Sequence, residues 1–444
     1  MIARSRKPRH ATAARGGGRA RLALIVAGAL AGVGALGAGG WWLYGQLAHP
    51  AYELSAVAER IEPQRWEAPE IEFPQDGPVS FSLVATGDVL PHGSVISSGR
   101  SGSGYDFNQL FDGTRAWTQG ADIALCHMEV PVAPPGVAPS GYPIFGAPRE
   151  LVRDLKDEGW DGCSTASNHS VDRGWDGLVA TVDAFEDYRL GYVGTATTSS
   201  DAREPQIYNV RTGNRVIQVA HISWTYGTNG LPVPSGKSWS VNVFDAGDAE
   251  AAGMIAQAER AREEGADVVV LSVHCCVEYT NSPSSAQTAI AKKVAESGQV
   301  DLLIGHHAHV PQPITKISGG PDGEGMWVAY GLGNFVSNQG TNCCVAETSN
   351  GLMLIATFTV ELDGTTHVDA EWAGTTVDRT NGHKVYMLTE VSGGKGNLSK
   401  SEVADRYGRV EDVVGDDAPE RTEPPTKLAD ATYISFRGPY EPTG

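Results

Sequence analysis

Five apolar stretches of this chain each run into a residue that can grip a cation. "VSFSLVATGD" (79–88) ends at Asp88, and "ADIALCHMEV" (121–130) reaches Glu129. "GWDGCSTASNH" (159–169) ends at Asn168 and His169, "ADVVVLSVH" (266–274) at His274, and "VDLLIGHHAHV" (300–310) carries His306, His307 and His309. Short apolar runs rich in β-branched residues and bounded by Gly, Asp or Asn read as strands. Between them, "DGLVATVDAFEDY" (176–188), residues from about 248 to 264, and residues 285–297 have helical spacing, and another helix begins near Pro148. Strands alternating with helices predict an α/β architecture. "VIQVAHISW" (216–224), "MWVAYGLGNF" (326–335) and "GLMLIATFTVEL" (351–362) are further strands. The late strands, with little helix between them, predict a second, partly antiparallel sheet.

The position of these residues matters as much as their type. Each lies at or just after the C-terminal end of a strand, the edge of an open α/β sheet where loops converge and sites form. Imidazole, carboxylate and amide oxygen together suit Zn, Mn or Fe. With only 12 histidines in 444 residues, three within four positions call for a shared role. Alternation along a strand predicts that His307 and His309 face the same way. Glu129 has two oxygens with which to bridge two ions, and two ions about 3.5–4 Å apart would clamp a phosphoryl group and generate a hydroxide. Each residue taken alone has a plainer reading. Asp88 fits a turn, Asn168 a helix N-cap, and His274 a core histidine. Glu129 fits none of these, because an unpaired buried carboxylate is costly.

The N-terminus constrains location. Residues 1–21 carry seven basic residues and no acidic one; the remainder holds 27 basic against 53 acidic residues, a net of −26. So acidic a body repels nucleic acid and anionic membrane surfaces, which excludes nucleic acid as a partner. Residues 22–47 have no charge, and Trp41, Trp42 and Tyr44 sit toward their C-terminal end. This reads as a single-pass anchor with the N-terminus inside and the remainder outside the cytoplasm. A cleaved signal is the alternative, although the run exceeds the roughly 7–15 residues of a signal's apolar core. Residues 48–78, rich in Pro and Glu, read as a linker, and residues 79–392 as one domain. The polar tail, 393–444, with "GDDAPERTEPPTK" in its middle, is expected to be mobile.

Six ordered motifs carry a family resemblance: "TGDVLPHG", "ADIALCHMEVPV", "ASNHSVDRGWDGLVATVDAF", "LSVHCCVEY", "LLIGHHAHVPQPI" and "YGLGNFV". From about Phe81 to Phe335 the chain resembles the CapA family of poly-γ-glutamate capsule proteins, within the calcineurin-like metallophosphoesterase superfamily. The resemblance implies a four-layer αββα sandwich and a bacterial, membrane-anchored, extracytoplasmic protein. It also implies two divalent transition metals (Mn, Fe or Zn) held by Asp88, Glu129, Asn168, His274, His307 and His309, with His169 acting toward the leaving group. His92, His127, His306, Glu278 and Asn334 are further candidates for ligands or their supports. The chain departs from the pattern at three points. His92 stands four residues after Asp88 where the superfamily has Asp-x-His. His127 replaces the family's Asn before Leu-Glu. Cys275 and Cys276 replace Trp-Gly after His274.

The cysteines are six: Cys126, Cys163, Cys275, Cys276, Cys343 and Cys344. Outside the cytoplasm disulfides are permitted. A cross-link between the pair Cys275/Cys276 and the pair Cys343/Cys344 would staple the rim of the site; vicinal disulfides, free thiols and extra metal ligands are the alternatives. Whether Cys126 and Cys163 pair is left open. Beside a plain structural envelope protein whose histidines hold a metal only for stability, two functions remain. One is an extracytoplasmic hydrolase of a phosphoester or of an amide bond in an envelope polymer. The other is a non-catalytic, polymer-binding component of a capsule synthesis complex, with capsule synthase membrane proteins as partners. The acidic body argues against a broad groove for an anionic polymer, unless metal charge or a basic patch offsets it.

Overall fold

Four parallel strands begin in the same way, with an aspartate one residue before the strand. Asp122, Asp161, Asp267 and Asp301 each donate their own N–H to a carbonyl of the preceding strand in the sheet (Ser82, Ala124, Gln218 and Val269). Each side-chain carboxylate then accepts the N–H of that same residue, at 2.8, 2.9, 2.8 and 2.6 Å. The paired bonds tie each strand to its neighbour at the N-terminal edge and satisfy backbone donors that the ladder has not yet reached.

The computed structural model describes residues 77–247 and 249–435. In chain order these form β1 (Val79–Val89), α1 (Gly93–Ser98), β2 (Arg100–Ser101), β3 (Gly104–Tyr105), α2 (Asn108–Phe111), α3 (Arg115–Gly120), β4 (Ile123–Met128), α4 (Glu150–Glu158), β5 (Gly162–Ser164), α5 (Gly174–Asp187), β6 (Gly191–Val193), β7 (Gln206–Thr212) and β8 (Arg215–Thr225). They continue as α6 (Ala252–Glu263), β9 (Val268–His274), α7 (Ser285–Ser297), β10 (Leu302–His306), β11 (Ile314–Ile317), β12 (Met326–Ala329), β13 (Asn334–Val336), β14 (Asn350–Val360), β15 (Thr366–Asp378), β16 (Lys384–Met387), α8 (Lys400–Val414) and β17 (Ala431–Ser435). The basic segment, the apolar run 22–47 and nearly all of the linker lie outside the described residues. Among the described residues no helix is long and apolar enough to cross a membrane.

Apart from β2 and β3, which pair only with each other, the strands make two mixed sheets. One runs β16-β15-β14-β1-β4-β5-β6, with β13 added beside β1; the other runs β11-β12-β10-β9-β8-β7-β17. Side-chain parity shows how they stack. Leu83, Ile123 and Leu354 of the first sheet share a core with Val219, Val270 and Leu302 of the second. Their neighbours Val84, Ala124 and Ile355 pack instead with Leu151, Leu155, Leu178 and Phe185 of α4 and α5. Val269, Leu271 and Leu303 pack with Met254, Ala258, Ile290 and Val294 of α6 and α7. Successive side chains on a strand point to opposite faces, so the layers follow as helices, sheet, sheet, helices.

Three expectations need correction. The late strands form no sheet of their own: β13 to β16 extend the first sheet, and β11 and β12 close the second. The run 326–335 is two strands, β12 and β13, in different sheets. Gly331 and Gly333 (φ 67°) carry the chain between them, and a Cβ on Gly333 would meet the Asn350 carbonyl at 2.8 Å. The tail is ordered through residue 435. Composition hid a helical stripe, Val403, Tyr407, Val410 and Val414, that packs into the core between the sheets, and β17 adds antiparallel to β7.

Candidate metal centre

Strand register assembles the site. Asp88 of β1 pairs across the ladder with His127 of β4 and with Asn334 of β13. His127 pairs with Ser164 of β5, and His306 of β10 pairs with His274 of β9. Asp88, His127, Ser164, His274 and His306 lie at the C-terminal ends of parallel strands, opposite the aspartate edge, and Asn334 opens β13 beside them. Asn168, Glu129, His307 and His309 follow on the adjoining loops. Four overlapping groups have ligand atoms within 4.8 Å of one another and could hold a metal ion. They are Asp88–His127–His306, Asp88–Glu129–His309, Glu129–His274–His307 and Glu278–His307–His309.

Within this cluster, His309 Nδ1 is 3.0 Å from Asp88 Oδ2 and His306 Nδ1 is 3.5 Å from Asp88 Oδ1. Glu129 Oε1 is 3.7 Å from His309 Nε2 and 3.9 Å from His274 Nε2. Glu278 Oε1, the more exposed carboxylate, is 3.6 Å from His309 Nε2. A relay crosses the floor. Ser164 Oγ lies 2.7 Å from His127 Nδ1, His127 Nε2 lies 2.9 Å from His274 Nδ1, and His274 Nε2 lies 2.9 Å from Asn168 Oδ1. It can run in either direction. A bound cation requires the one in which His274 Nδ1–H donates to His127 and His127 Nδ1–H donates to Ser164. Only then do His274 Nε2 and Asn168 Oδ1 both present lone pairs.

The electrostatics fit a cation. Both oxygens of Glu129 are fully buried without a hydrogen-bond partner, as are Nδ1 of His306 and of His307. Unpartnered buried carboxylate oxygens are expensive unless something positive meets them. Burial pushes Glu129 well above the usual carboxylate range. Burial also holds His127 and His274 well below the usual imidazole range, and brings His307 down to about 4. These rings are therefore neutral, the form that ligates. Burial opposes ionisation of Asp88, but the His306 and His309 imidazoles beside it outweigh that and hold it well below its usual value. His309 goes the other way: burial disfavours its charge, and the carboxylates of Glu129 and Asp88 overcome burial and raise it. In the ion's absence a charged His309 thus answers Asp88, while burial drives Glu129 toward its neutral form.

His307 and His309 reach the cluster by a route other than strand alternation. β10 ends at His306, and both residues take left-handed backbone (φ 83° and 57°), a strain that concentrates at functional sites. His306 belongs to the strand and faces Asp88 and His127. His92 stands apart from the four groups. Its Nδ1 is 3.1 Å from the Leu90 carbonyl, and its ring meets Phe145 edge-on at 5.4 Å. Asn334 steadies the centre from below, with Oδ1 3.1 Å from His309 Nδ1 and its amide donating to Gln339 Oε1 and the Thr348 carbonyl, both at 2.9 Å.

His169 sits above the cluster. Its Nδ1 is 2.8 Å from Asp172 Oδ2, which also accepts the Phe145 N–H at 2.8 Å. The Asn229 amide nitrogen lies 3.4 Å from both ring nitrogens, and Asn229 Oδ1 accepts from Asn168 at 3.2 Å. Asp172, Asn229 and Ser164 escaped the sequence reading. Asp172 had a signal, three residues after His169 in "NHSVD"; Asn229 opens the Gly-containing loop signal "NGL" (229–231), which marks a loop that could frame the substrate opening but not its contact with Asn168 and His169. The cysteines pair as Cys126–Cys163, Cys275–Cys276 and Cys343–Cys344. The expected cross-link between the two vicinal pairs is therefore not formed, because each pair closes on itself.

Residues 82–339 match the family model described as "Bacterial capsule synthesis protein PGA_cap". The chain is 31% identical over 197 residues to the "PGA biosynthesis protein CapA" of Bacillus subtilis (strain 168), 43% of this chain and 46% of that protein. It is 31% identical over 200 residues to the "Capsule biosynthesis protein CapA" of Bacillus anthracis, 44% of each. The alignments thus span under half the length of these relatives. Among solved structures, the calcineurin-like phosphoesterase YfkN from Bacillus subtilis aligns with a TM-score of 0.41 at 15% identity, over 76% of this chain and 97% of that one. The matched segment contains Asp88, His127, Glu129, His169, His274 and His306 to His309, so the centre lies within the part of the chain that defines the kinship: this chain belongs to the bacterial capsule synthesis protein PGA_cap family.

Proposed function

We propose that the chain is a metal-dependent hydrolase of an anionic envelope polymer, with poly-γ-glutamate as the substrate class, in a phosphoesterase-like αββα sandwich held outside the cytoplasm by residues 22–47. The observation that carries the reading is Glu129. A fully buried carboxylate with two unpartnered oxygens, among neutral imidazoles and a second carboxylate, fits a site for one or two divalent ions such as Mn, Fe or Zn. Asp88, Glu129, Asn168, His274, His307 and His309 would hold them, and His306 lies close enough to Asp88 to join, while His127, both of whose nitrogens serve the relay, orients His274. Once bound, such ions supply Lewis acidity toward the oxygen of the bond to be broken. The chain's own residues do the rest. Asp172 accepts the His169 Nδ1–H and would stabilise the imidazolium, whose Nε2–H, taken up from the attacking water, would pass to the departing amine or alcohol. Asn229 holds both Asn168 and His169 in register.

Elemental analysis of the full-length chain, purified without chelator, tests the reading. About two transition-metal ions per chain are expected, with release of amine from a γ-linked glutamate oligomer that stops in Glu129→Gln. A chain that stays free of metal after reconstitution sinks the proposal. A loaded chain that releases neither amine from that oligomer nor alcohol from a phosphodiester moves the reading to a polymer-holding component of a capsule complex. The Mycobacterium tuberculosis relative, 26% identical over 184 residues, is named a "Probable polyglutamine synthesis accessory protein", which keeps that alternative in view.

A further inference from the structure

We infer that residues 227–240 form an anion-recognising strap at the mouth of the centre, with Lys237 as the residue that selects carboxylate-bearing substrate. The inference rests on the reading that an anionic polymer is worked at the centre, and it assigns where that polymer is gripped.

The strap is tied to the site at one end and presents a cation at the other. Tyr226, just before it, lies with its ring 4.7 Å from that of His307. Asn229, in left-handed conformation (φ 53°), contacts Asn168 and His169. Leu231 packs against the core beneath α5. The chain then turns through Pro232, Pro234 and Gly236 (φ 73°) to Lys237, whose Nζ lies 4.5 Å from the centre of the Trp175 ring and 5.8 Å from that of Trp239. The two indoles meet edge to face at 6.1 Å. Trp175 is the second residue of α5, six residues beyond His169, so the platform and the His169–Asp172 pair share one continuous segment.

Three features make this a subsite rather than a surface ornament. First, Lys237 has no carboxylate within ion-pair distance among the described residues, in a chain with 53 acidic residues against 34 basic ones. Second, an ammonium over indole faces keeps its hydrogens free on the outward side while the rings fix its position; this pre-organises it for a charge-assisted bond to an anion. Third, a second wall, beside His169, is apolar and exposed. Tyr142 is 77% and Ile144 41% exposed, on a segment whose Phe145 meets the His169 ring edge-on at 4.8 Å. A flexible chain of methylenes and amides bearing one carboxylate per unit matches both walls: its methylenes lie against Tyr142 and Ile144 while a carboxylate pairs with Lys237. The local cation offsets the repulsion that the acidic body would otherwise impose on such a chain.

The test is binding of labelled decamers to the full-length chain, wild type, Lys237→Ala and Lys237→Arg. One probe is γ-linked glutamate, one its neutral γ-linked glutamine counterpart, and one a glycerol-phosphate oligomer. Lys237→Ala should weaken the glutamate decamer about tenfold and leave the glutamine decamer unchanged, and Lys237→Arg should restore most of the loss. Equal loss for charged and neutral probes, or no loss, overturns the inference, as does a wild type that binds no anionic probe. Lysine-dependent binding of the phosphate oligomer alone overturns the carboxylate assignment. Glu129→Gln separates this from the hydrolase reading. Lys237-dependent binding that persists there, in a chain whose wild type releases no amine, removes the hydrolysis and keeps the subsite.

Discussion

The two ends of the parallel strands treat buried carboxylates in opposite ways. At the N-terminal edge Asp122 accepts from Ser82 N–H at 2.8 Å, Ser82 Oγ–H at 3.0 Å, and the Leu428 and Ala429 N–H groups at 3.0 Å each. Asp301 accepts from Val269 N–H at 2.6 Å and Arg262 at 2.5 Å. At the C-terminal edge Glu129 accepts from nothing, and Asp88 faces two histidines. One edge uses carboxylates to close the fold; the other holds them in readiness. The lesson is that burial alone does not mark a functional acid. What marks it here is burial beside imidazoles with oxygens left unpartnered, both of Glu129's and Oδ2 of Asp88.

The comparison breaks first, and most heavily, at Asp122. Asp122→Ala strands three backbone N–H groups and a hydroxyl, each costing about 1–3 kcal/mol, so the loss should be about 4 kcal/mol with metal content per folded chain unchanged. Denaturant unfolding beside elemental analysis reads both quantities. A variant of wild-type stability would mean that the N-terminal edge is held by the ladder alone.

Asp301 sharpens the same edge through pH. Burial outweighs Arg262 and lifts its folded value to about 6, against 3.8 for the free residue. Between these values the native state binds more protons than the unfolded one, so its contribution is fully present below about pH 4 and is lost as pH rises to about 6. The stability of wild type minus that of Asp301→Asn should therefore fall through that window, by at most about 1.4 kcal/mol per pH unit, and be level above it. A flat difference would show that Arg262 fully compensates the burial.

Glu129→Gln tests the other edge. It keeps the volume and removes the charge, so metal affinity should drop by about 100-fold or more, while the apo-protein is at least as stable as wild type because a costly buried carboxylate is gone. Isothermal titration with Mn(II) and a thermal melt of the apo-protein decide it. Unchanged affinity alongside lowered stability would place Glu129 with the structural acids.

Much of this contrast was legible in the chain, and the reasons differ by element. The strands were legible as apolar runs, whereas the Asp that precedes "IAL", "GCS", "VVV" and "LLI" went unread as a sign of their starts; α7 (Ser285–Ser297) has its expected bounds because Ser284 and Gln287 form a capping box. Asp88, Glu129, Asn168 and His274 were visible as polar ends of apolar runs. His307 and His309 were visible as a motif, but their geometry was not. A left-handed turn cannot be read from residues that normally avoid it. The loop of Asn229 and Lys237 was visible as Gly/Pro punctuation, but the roles of those two residues were not, because the loop meets the site only through tertiary packing; α8 was hidden because polar composition masked its four-residue stripe.

The most delicate distinction concerns Ser164, a small residue at the C-terminal edge that belongs to neither class of acid. Its hydroxyl is the last member of the relay to Asn168, and its role depends on which way the protons point. If a cation at the centre requires His274 Nε2 as a lone pair, then His127 must donate its Nδ1–H to Ser164 Oγ. Ser164→Ala removes that acceptor and leaves His127 free to adopt the opposite tautomer, in which His274 Nε2 carries a proton and is withdrawn from the metal. Affinity for Mn(II) should fall about tenfold, with little change in unfolding free energy because Ser164 is small and the cavity left is less than a methyl group. Ser164→Thr keeps the acceptor and should retain affinity. If Ala and Thr behave alike, the relay does not orient His274, and the neutral imidazoles at this edge owe their state to burial alone.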